Sequence, residues 1–208
     1  QINFDDILSK ITPLTRLIIL ISPINKNEFE DFCKKLPSNI VIAIDNCYDE
    51  FTLNSYKTNP AETYKYKNII INLYSFSKFY GLGNLGIGFS ISSIQINKVL
   101  EHTISYNISN LYEDIASIAL SDDKHNSLIR DSYMSERRYI INRITSNNID
   151  YIDWNQSFIL IKYDHSKLQQ KLKNIRISNA NPLQELPDYI PFYIDTRDIN
   201  KKMLDAIL

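Results

Sequence analysis

All four glycines of this 208-residue chain, Gly81, Gly83, Gly86 and Gly88, fall within eight consecutive positions. The β-branched run Ile69-Ile70-Ile71 leads into them and reads as a buried strand. That strand ends in two hydroxyls, Ser75 and Ser77, beside one amine, Lys78. A lone lysine after a buried strand commonly does no more than solvate the strand end. Hydroxyls and glycine amides next to a lysine can also hold a phosphate while the amine reaches a carbonyl.

Gly81-Leu82-Gly83-Asn84-Leu85-Gly86 fits the G-x-G-x-x-G spacing of dinucleotide sites. That motif needs a strand running directly into the first glycine and a helix opening at the last. Here Ser-Phe-Ser-Lys-Phe-Tyr intervenes, and Ile87 to Ile91 alternates like another strand. The context therefore argues against a dinucleotide loop.

Upstream, Leu17 to Ile21 and Val41 to Ile44 are short apolar runs of strand length. Between them Phe29, Phe32, Cys33 and Leu36 recur at helical spacing, closed by Pro37. Strand, helix, strand implies parallel pairing and an α/β class. Residues 52 to 67 read as a polar, tyrosine-rich surface connection. Helices are expected over 94–105, 109–120 and 126–145, with Ser135 to Arg138 as a solvated face. A second lobe follows, with strands at 158–161, 175–177 and 191–194 and helices at 167–173 and 199–208. Pro191 suits an edge strand or a strand start. The expected division is a large domain over 1–148 and a small α/β domain over 149–208.

The net charge of −1 suggests neither a nucleic-acid nor an anionic-membrane partner. No apolar run reaches the roughly 18 residues of a membrane span, and no signal peptide opens the chain. The first residue is Gln1, which fits a trimmed, processed or longer product. Cys33 and Cys47 lack metal-ligand spacing and read as free thiols of a reducing, cytoplasmic setting. His102, His125 and His165 are scattered, which suggests neither a metal site nor a triad.

Ser75-Phe-Ser-Lys-Phe-Tyr-Gly-Leu, continued by Leu85-Gly-Ile-Gly-Phe89, resembles the cofactor-lysine segment of the class I/II aminotransferases. Within that family the segment resembles the histidinol-phosphate aminotransferase branch. Val41-Ile-Ala-Ile-Asp-Asn-Cys-Tyr-Asp-Glu-Phe51 resembles the family's Asp-Glu-Ala-Tyr-x-x-Phe signature, and Ser22-Pro-Ile-Asn25 its Asn-Pro-x-Asn turn. The resemblance implies a pyridoxal 5'-phosphate enzyme of fold type I. Its large domain would be three layers, α/β/α, with a partial sheet, beside a small C-terminal α/β lobe. By the same resemblance Lys78 carries the cofactor as a Schiff base and Ser75 and Ser77 serve its phosphate side. Asp45 keeps the ring nitrogen protonated, and Tyr48 and Asn25 meet the ring hydroxyl. A pyridinium is an electron sink only while that proton stays, which a nearby carboxylate favours. An acid at a strand end is by itself often a cap or loop residue, and Asn25 equally fits a cap of the helix from Glu28.

The implied activity is amino-group transfer on an amino acid or related amine, with Lys78 as general acid and base. Decarboxylation, elimination or cyclisation on the same cofactor is one alternative. A truncated, catalytically degenerate relative acting as a binding partner is another. The family builds its site between subunits, so a homodimer is implied, or a partner chain completing the site. Its first segment has no counterpart here. Two of its arginines are also missing: Gly86 stands at the phosphate arginine and Pro191 at the substrate arginine. Arg176 and Arg197 are substitutes or ordinary surface charges.

Overall fold

β1 (Leu17–Ile21), β2 (Val41–Asp45) and β3 (Ile70–Ser75) are parallel neighbours, and β4 (Gly88–Ile91) returns antiparallel along β3. The computed structural model describes residues 2–51, 65–103, 108–153, 158–175 and 186–208. Leu17 pairs with Val41 and Ile42 with Ile70, which brings the carboxyl ends of the three parallel strands to one edge. β1 reaches β2 through α2 (Lys26–Lys35), the expected strand-helix-strand unit.

Phe29, Phe32 and Cys33 of α2, with Leu36 just past its end, are buried against Leu20, Ile42, Ile44 and Ile70. Phe4, from α1 (Phe4–Ser9), joins them and meets Phe32 at 4.6 Å between ring centres. Each such side chain contributes about 1.5–3 kcal/mol on leaving water, so this helix face fixes the register of α2 on the sheet. The opposite β1 side chains, Leu17, Ile19 and Ile21, are 51%, 65% and 57% exposed, so α1 and α2 cover only one face.

The glycine-rich segment is the return from β3 to β4. Phe76 N–H donates to Ile87 O at 3.2 Å and Leu82 N–H to Phe76 O at 2.9 Å, closing a wide loop. A short 3-10 turn, Gly83–Leu85, ends on Gly86 at φ 62°, the left-handed region that glycine enters without penalty. At Gly88 a Cβ would stand 2.5 Å from Tyr74 O, so the two strands meet this closely only without a side chain. No helix opens after Gly86, which removes the dinucleotide geometry as the context had indicated.

Contacts divide the chain after Asp123. α3 (Ile94–Thr103) and α4 (Asn110–Ser121) complete the first unit, close to their expected spans. The second contains β5 (Tyr151–Asp153), β6 (Phe158–Lys162) and β7 (Tyr189–Tyr193) in an antiparallel sheet of that order. α5 (Asp123–Ser146), α6 (His165–Ile175) and α7 (Arg197–Ile207) are its helices. Ile140 and Ile144 of α5, Leu168 of α6 and Met203, Leu204 and Ile207 of α7 form one core with Ile159, Ile161, Ile190 and Phe192. By these contacts α5 goes with the second sheet, whereas a boundary after residue 148 assigned it to the first domain.

Pro191 pairs with Leu160 on β7, an edge of its sheet, where a residue lacking an N–H is tolerated. Ile175 closes α6 instead of opening a strand, and Arg176 and Ile177 lie outside the described residues. Most of the 52–67 connection lies outside them too. The stretch Ser135 to Arg138 is not a uniformly solvated face. Arg137 is buried and pairs with Asp153, and Glu136 is held by Arg197 and Asn200.

Candidate active site

The register Asp45↔Leu73 sets the end of β2 two residues before Ser75 on β3. Ser22 N–H donates to Asp45 O at 2.9 Å and Asn46 N–H to Leu73 O at 2.8 Å, so all three parallel strands meet here. Open parallel sheets place ligands at this carboxyl edge, because loops from separate strands converge on it.

Asp45 is half-buried, and its Oδ1 accepts from the Cys47 N–H at 2.9 Å. This side-chain turn fixes the carboxylate at the strand end. Asn46, beside it, is buried and donates from Nδ2 to Ile44 O and Asn72 Oδ1. Tyr48 is half-exposed, and the 3-10 turn Asp49–Phe51 follows. Two contacts clamp that turn: the Ser22 hydroxyl donates to the buried Asp49 carboxylate, and the Phe51 ring meets Phe79 edge-on at 5.3 Å.

Phe79 belongs to the lysine loop. In Ser75-Phe76-Ser77-Lys78-Phe79 the two phenylalanines are buried while Ser75 and Ser77 are half-exposed and Lys78 is exposed. Burying Phe76 and Phe79 thus turns the amine and hydroxyls outward. Ser77 N–H donates to Ser75 Oγ at 3.0 Å, which leaves the Ser75 hydroxyl proton to give to another acceptor. Lys78 Nζ stands 5.8 Å from the centre of the Tyr48 ring. The amine therefore lies beside an aromatic ring that comes from a different loop.

Asn25 is the N-cap of α2, its Oδ1 accepting from the N–H groups of Asn27 and Glu28 at 3.0 and 3.2 Å. With that oxygen committed, only its amide Nδ2 can serve a ligand. The side chain is exposed at the same sheet edge.

Cys47 sits in the turn beside these residues, its N–H bonded to Asp45. Burial pushes its thiol up to about 12, helped by the Asp45 carboxylate, while the Lys78 charge and the Ser75 hydroxyl pull the other way. The thiol thus shares its surroundings with three of the expected site residues. Cys33 is different: burial in the α2 core raises it to about 12, with Glu30 as the next cause.

The donor set fits pyridoxal phosphate by chemistry. A carboxylate suits a ring nitrogen, a phenol and an amide suit a ring oxygen, and hydroxyls suit a phosphate. An amine suits an aldehyde. The arginine expected beside the phosphate is replaced by Gly86, and a Cβ there would meet nothing within 4 Å. Pro191 is buried in β7. Arg197 is not a loose surface charge: it binds Glu136 at 2.9 Å and lies 4.0 Å from the Tyr139 ring centre. Among the described residues no cluster of His, Cys, Asp and Glu could hold a metal, and no helix is long and apolar enough to cross a membrane.

The profile of the family described as "Aminotransferase class I and II" matches residues 2–182. The chain is similar to the histidinol-phosphate aminotransferase of Akkermansia muciniphila, at 26% identity over 99% of this chain and 59% of that protein. Among solved structures it is similar to the histidinol-phosphate aminotransferase from Clostridium acetobutylicum, at 22% identity and a TM-score of 0.85, covering 99% of this chain and 66% of that one. It also resembles the histidinol-phosphate aminotransferase from Sinorhizobium meliloti, solved in complex with pyridoxal-5'-phosphate, at 16% identity and a TM-score of 0.78 over 91% and 55%. These structures show the fold, a fold type I arrangement with a mixed sheet. The chain spans about six-tenths of the length of the curated relative. The match over residues 2–182 establishes that the chain belongs to the class I and II aminotransferases.

Proposed function

We propose that this chain carries the cofactor-lysine half of a pyridoxal-phosphate-dependent aminotransferase of the histidinol-phosphate aminotransferase type. The observation that carries this is the convergence of Asp45, Tyr48, Ser75 and Lys78 on one sheet edge, with Lys78 Nζ 5.8 Å from the Tyr48 ring. The bound cofactor would supply an electron sink for the carbanion left at the substrate's α-carbon.

In this reading Lys78 would hold the cofactor at its aldehyde and would move the proton at the substrate's α-carbon as general base and acid. Its exposure on the loop, above the buried Phe76 and Phe79, leaves the amine room to swing between those tasks. Asp45, fixed by the Cys47 N–H, would hold a proton on the ring nitrogen. Tyr48 and the Asn25 amide orient the ring oxygen, and Ser75 and Ser77 donate to the phosphate. The substrate is an amino acid or related amine. Polypeptide beyond these residues completes the site, in a homodimer or from a partner chain. The coverage of 59% of the relative and the exposed Leu17, Ile19 and Ile21 support that completion.

Titrating the protein with pyridoxal phosphate tests the reading. A saturable absorbance at roughly 400–430 nm, lost in Lys78→Ala, is the expected result. A protein that shows no such band at saturating cofactor is not an aminotransferase of this kind.

A further inference from the structure

The two groups proposed for the ring oxygen come from different loops, Asn25 from the one after β1 and Tyr48 from the one after β2. Each loop is tied to the sheet at its start: Ser22 N–H donates to Asp45 O at 2.9 Å and Asn46 N–H to Leu73 O at 2.8 Å. Asp49 N–H then donates to Asn46 O at 3.0 Å, closing a turn that carries Tyr48. The far end of that turn is held from the first loop. The Ser22 hydroxyl donates to the Asp49 carboxylate, across 27 positions of sequence. Ser22 is 2% exposed and Asp49 3%, so water does not compete for the bond. Ile24, buried in the α2 core, and the Asn25 cap fix the rest of the first loop.

We propose that Ser22 and Asp49 are positioning residues of the cofactor site: their buried bond locks the Asn25 loop and the Tyr48 turn into one unit, so that amide and phenol meet the ring oxygen together. This rests on the pyridoxal-phosphate reading. Both side chains are buried, so they act through Asn25 and Tyr48 and not by contact with the cofactor. A hydroxyl donating to a carboxylate makes a strong bond of short reach, so a drift of either loop breaks it. Donors at an oxygen favour its anionic form, so the paired amide and phenol hold down the pH at which the bound cofactor's absorption band titrates. Losing the clamp leaves both donors present but out of place, and that pH rises.

The test is a pH titration of that absorption band in the cofactor-saturated protein. Ser22→Ala changes no charge and should raise the midpoint by about half a unit or more, in the direction of Tyr48→Phe. Asp49→Asn keeps an acceptor for the hydroxyl. Ser22→Ala with Asp49→Leu replaces both partners by apolar groups, which guards against a fold lost to a buried carboxylate deprived of its donor. Its midpoint should exceed that of Asp49→Asn by the same amount, since both lack the charge. In a Tyr48→Phe, Asn25→Ser background, which keeps the α2 cap and has neither donor, Ser22→Ala should shift the midpoint no further. An unchanged midpoint in Ser22→Ala, or in the double variant against Asp49→Asn, overturns the clamp while leaving the function standing. A full shift that survives in the Tyr48→Phe, Asn25→Ser background also overturns it, because Ser22 then acts by another route. Absence of the band in the unaltered protein overturns the functional reading itself, and the role of the clamp with it.

Discussion

Asp45 and Ser75 end neighbouring parallel strands at one edge of the sheet, because Asp45 pairs with Leu73 and Ser75 follows two residues later. The carboxylate and hydroxyl proposed for a ring nitrogen and a phosphate are thereby held by backbone pairing, not by flexible loops. The two loops that follow are then locked to each other by Phe51 and Phe79.

Asp45→Asn should fold normally, since the Cys47 N–H can still donate to the amide oxygen. It should slow proton removal from the substrate's α-carbon about a thousandfold, through a weakened hold on the ring proton. Single-turnover kinetics with an amino-acid donor, in the assembly that completes the site, measure this. Equal rates would make Asp45 a turn residue.

Asn25 caps α2 and is proposed to meet the cofactor through its amide, two separable tasks. Asn25→Ser keeps a capping oxygen for α2 and removes the amide, so stability should hold within about 0.5 kcal/mol while cofactor affinity falls about tenfold. Asn25→Ala should lose both, with a cap cost of about 1 kcal/mol. Thermal melts and cofactor titrations on the pair distinguish the tasks. Unchanged affinity in Asn25→Ser would leave Asn25 a cap alone.

Gly86→Arg would restore a guanidinium beside the phosphate. Charge-assisted bonds of about 1.5–3 kcal/mol should tighten cofactor binding tenfold or more. Gly86 sits at φ 62°, so the same change should cost about 1 kcal/mol or more of stability. Titration and denaturant unfolding read the two effects independently. No gain in affinity would show that other groups already neutralise the phosphate.

Cys33 adds a pH dependence to stability. Its thiol is raised from 9.0 to about 12 by burial, so the folded state favours the protonated form. That stability is full below pH 9 and is lost as pH rises from 9 toward 12. Chemical denaturation across this range should show a decline that is shallower in Cys33→Ala. The same slope in both proteins would remove Cys33 as its source.

The first sheet was legible because its signals are local. Leu17 to Ile21, the Phe29-Phe32-Cys33-Leu36 face and Val41 to Ile44 each carry their own pattern, and their order dictates parallel pairing. What escaped depends on pairing between distant residues. The Ser22–Asp49 clamp spans 27 positions, and the Cys47 surroundings exist only once β2 and β3 are in register. Glu136 and Arg197 look like surface charges until α5 and α7 meet, 61 residues apart. β5, three residues long, is too short to show alternation. The Ile-Arg-Ile at 175–177 mimics a strand, but Ile175 completes a turn of α6.

The central claim is that Lys78 is the residue that bonds the cofactor. Reducing the cofactor-saturated protein with borohydride, digesting it and sequencing the phosphopyridoxyl peptide tests it most directly. A single modified peptide carrying the label on Lys78 is expected, and none from Lys78→Ala. A label spread over surface lysines, or placed specifically on another lysine, would contradict it.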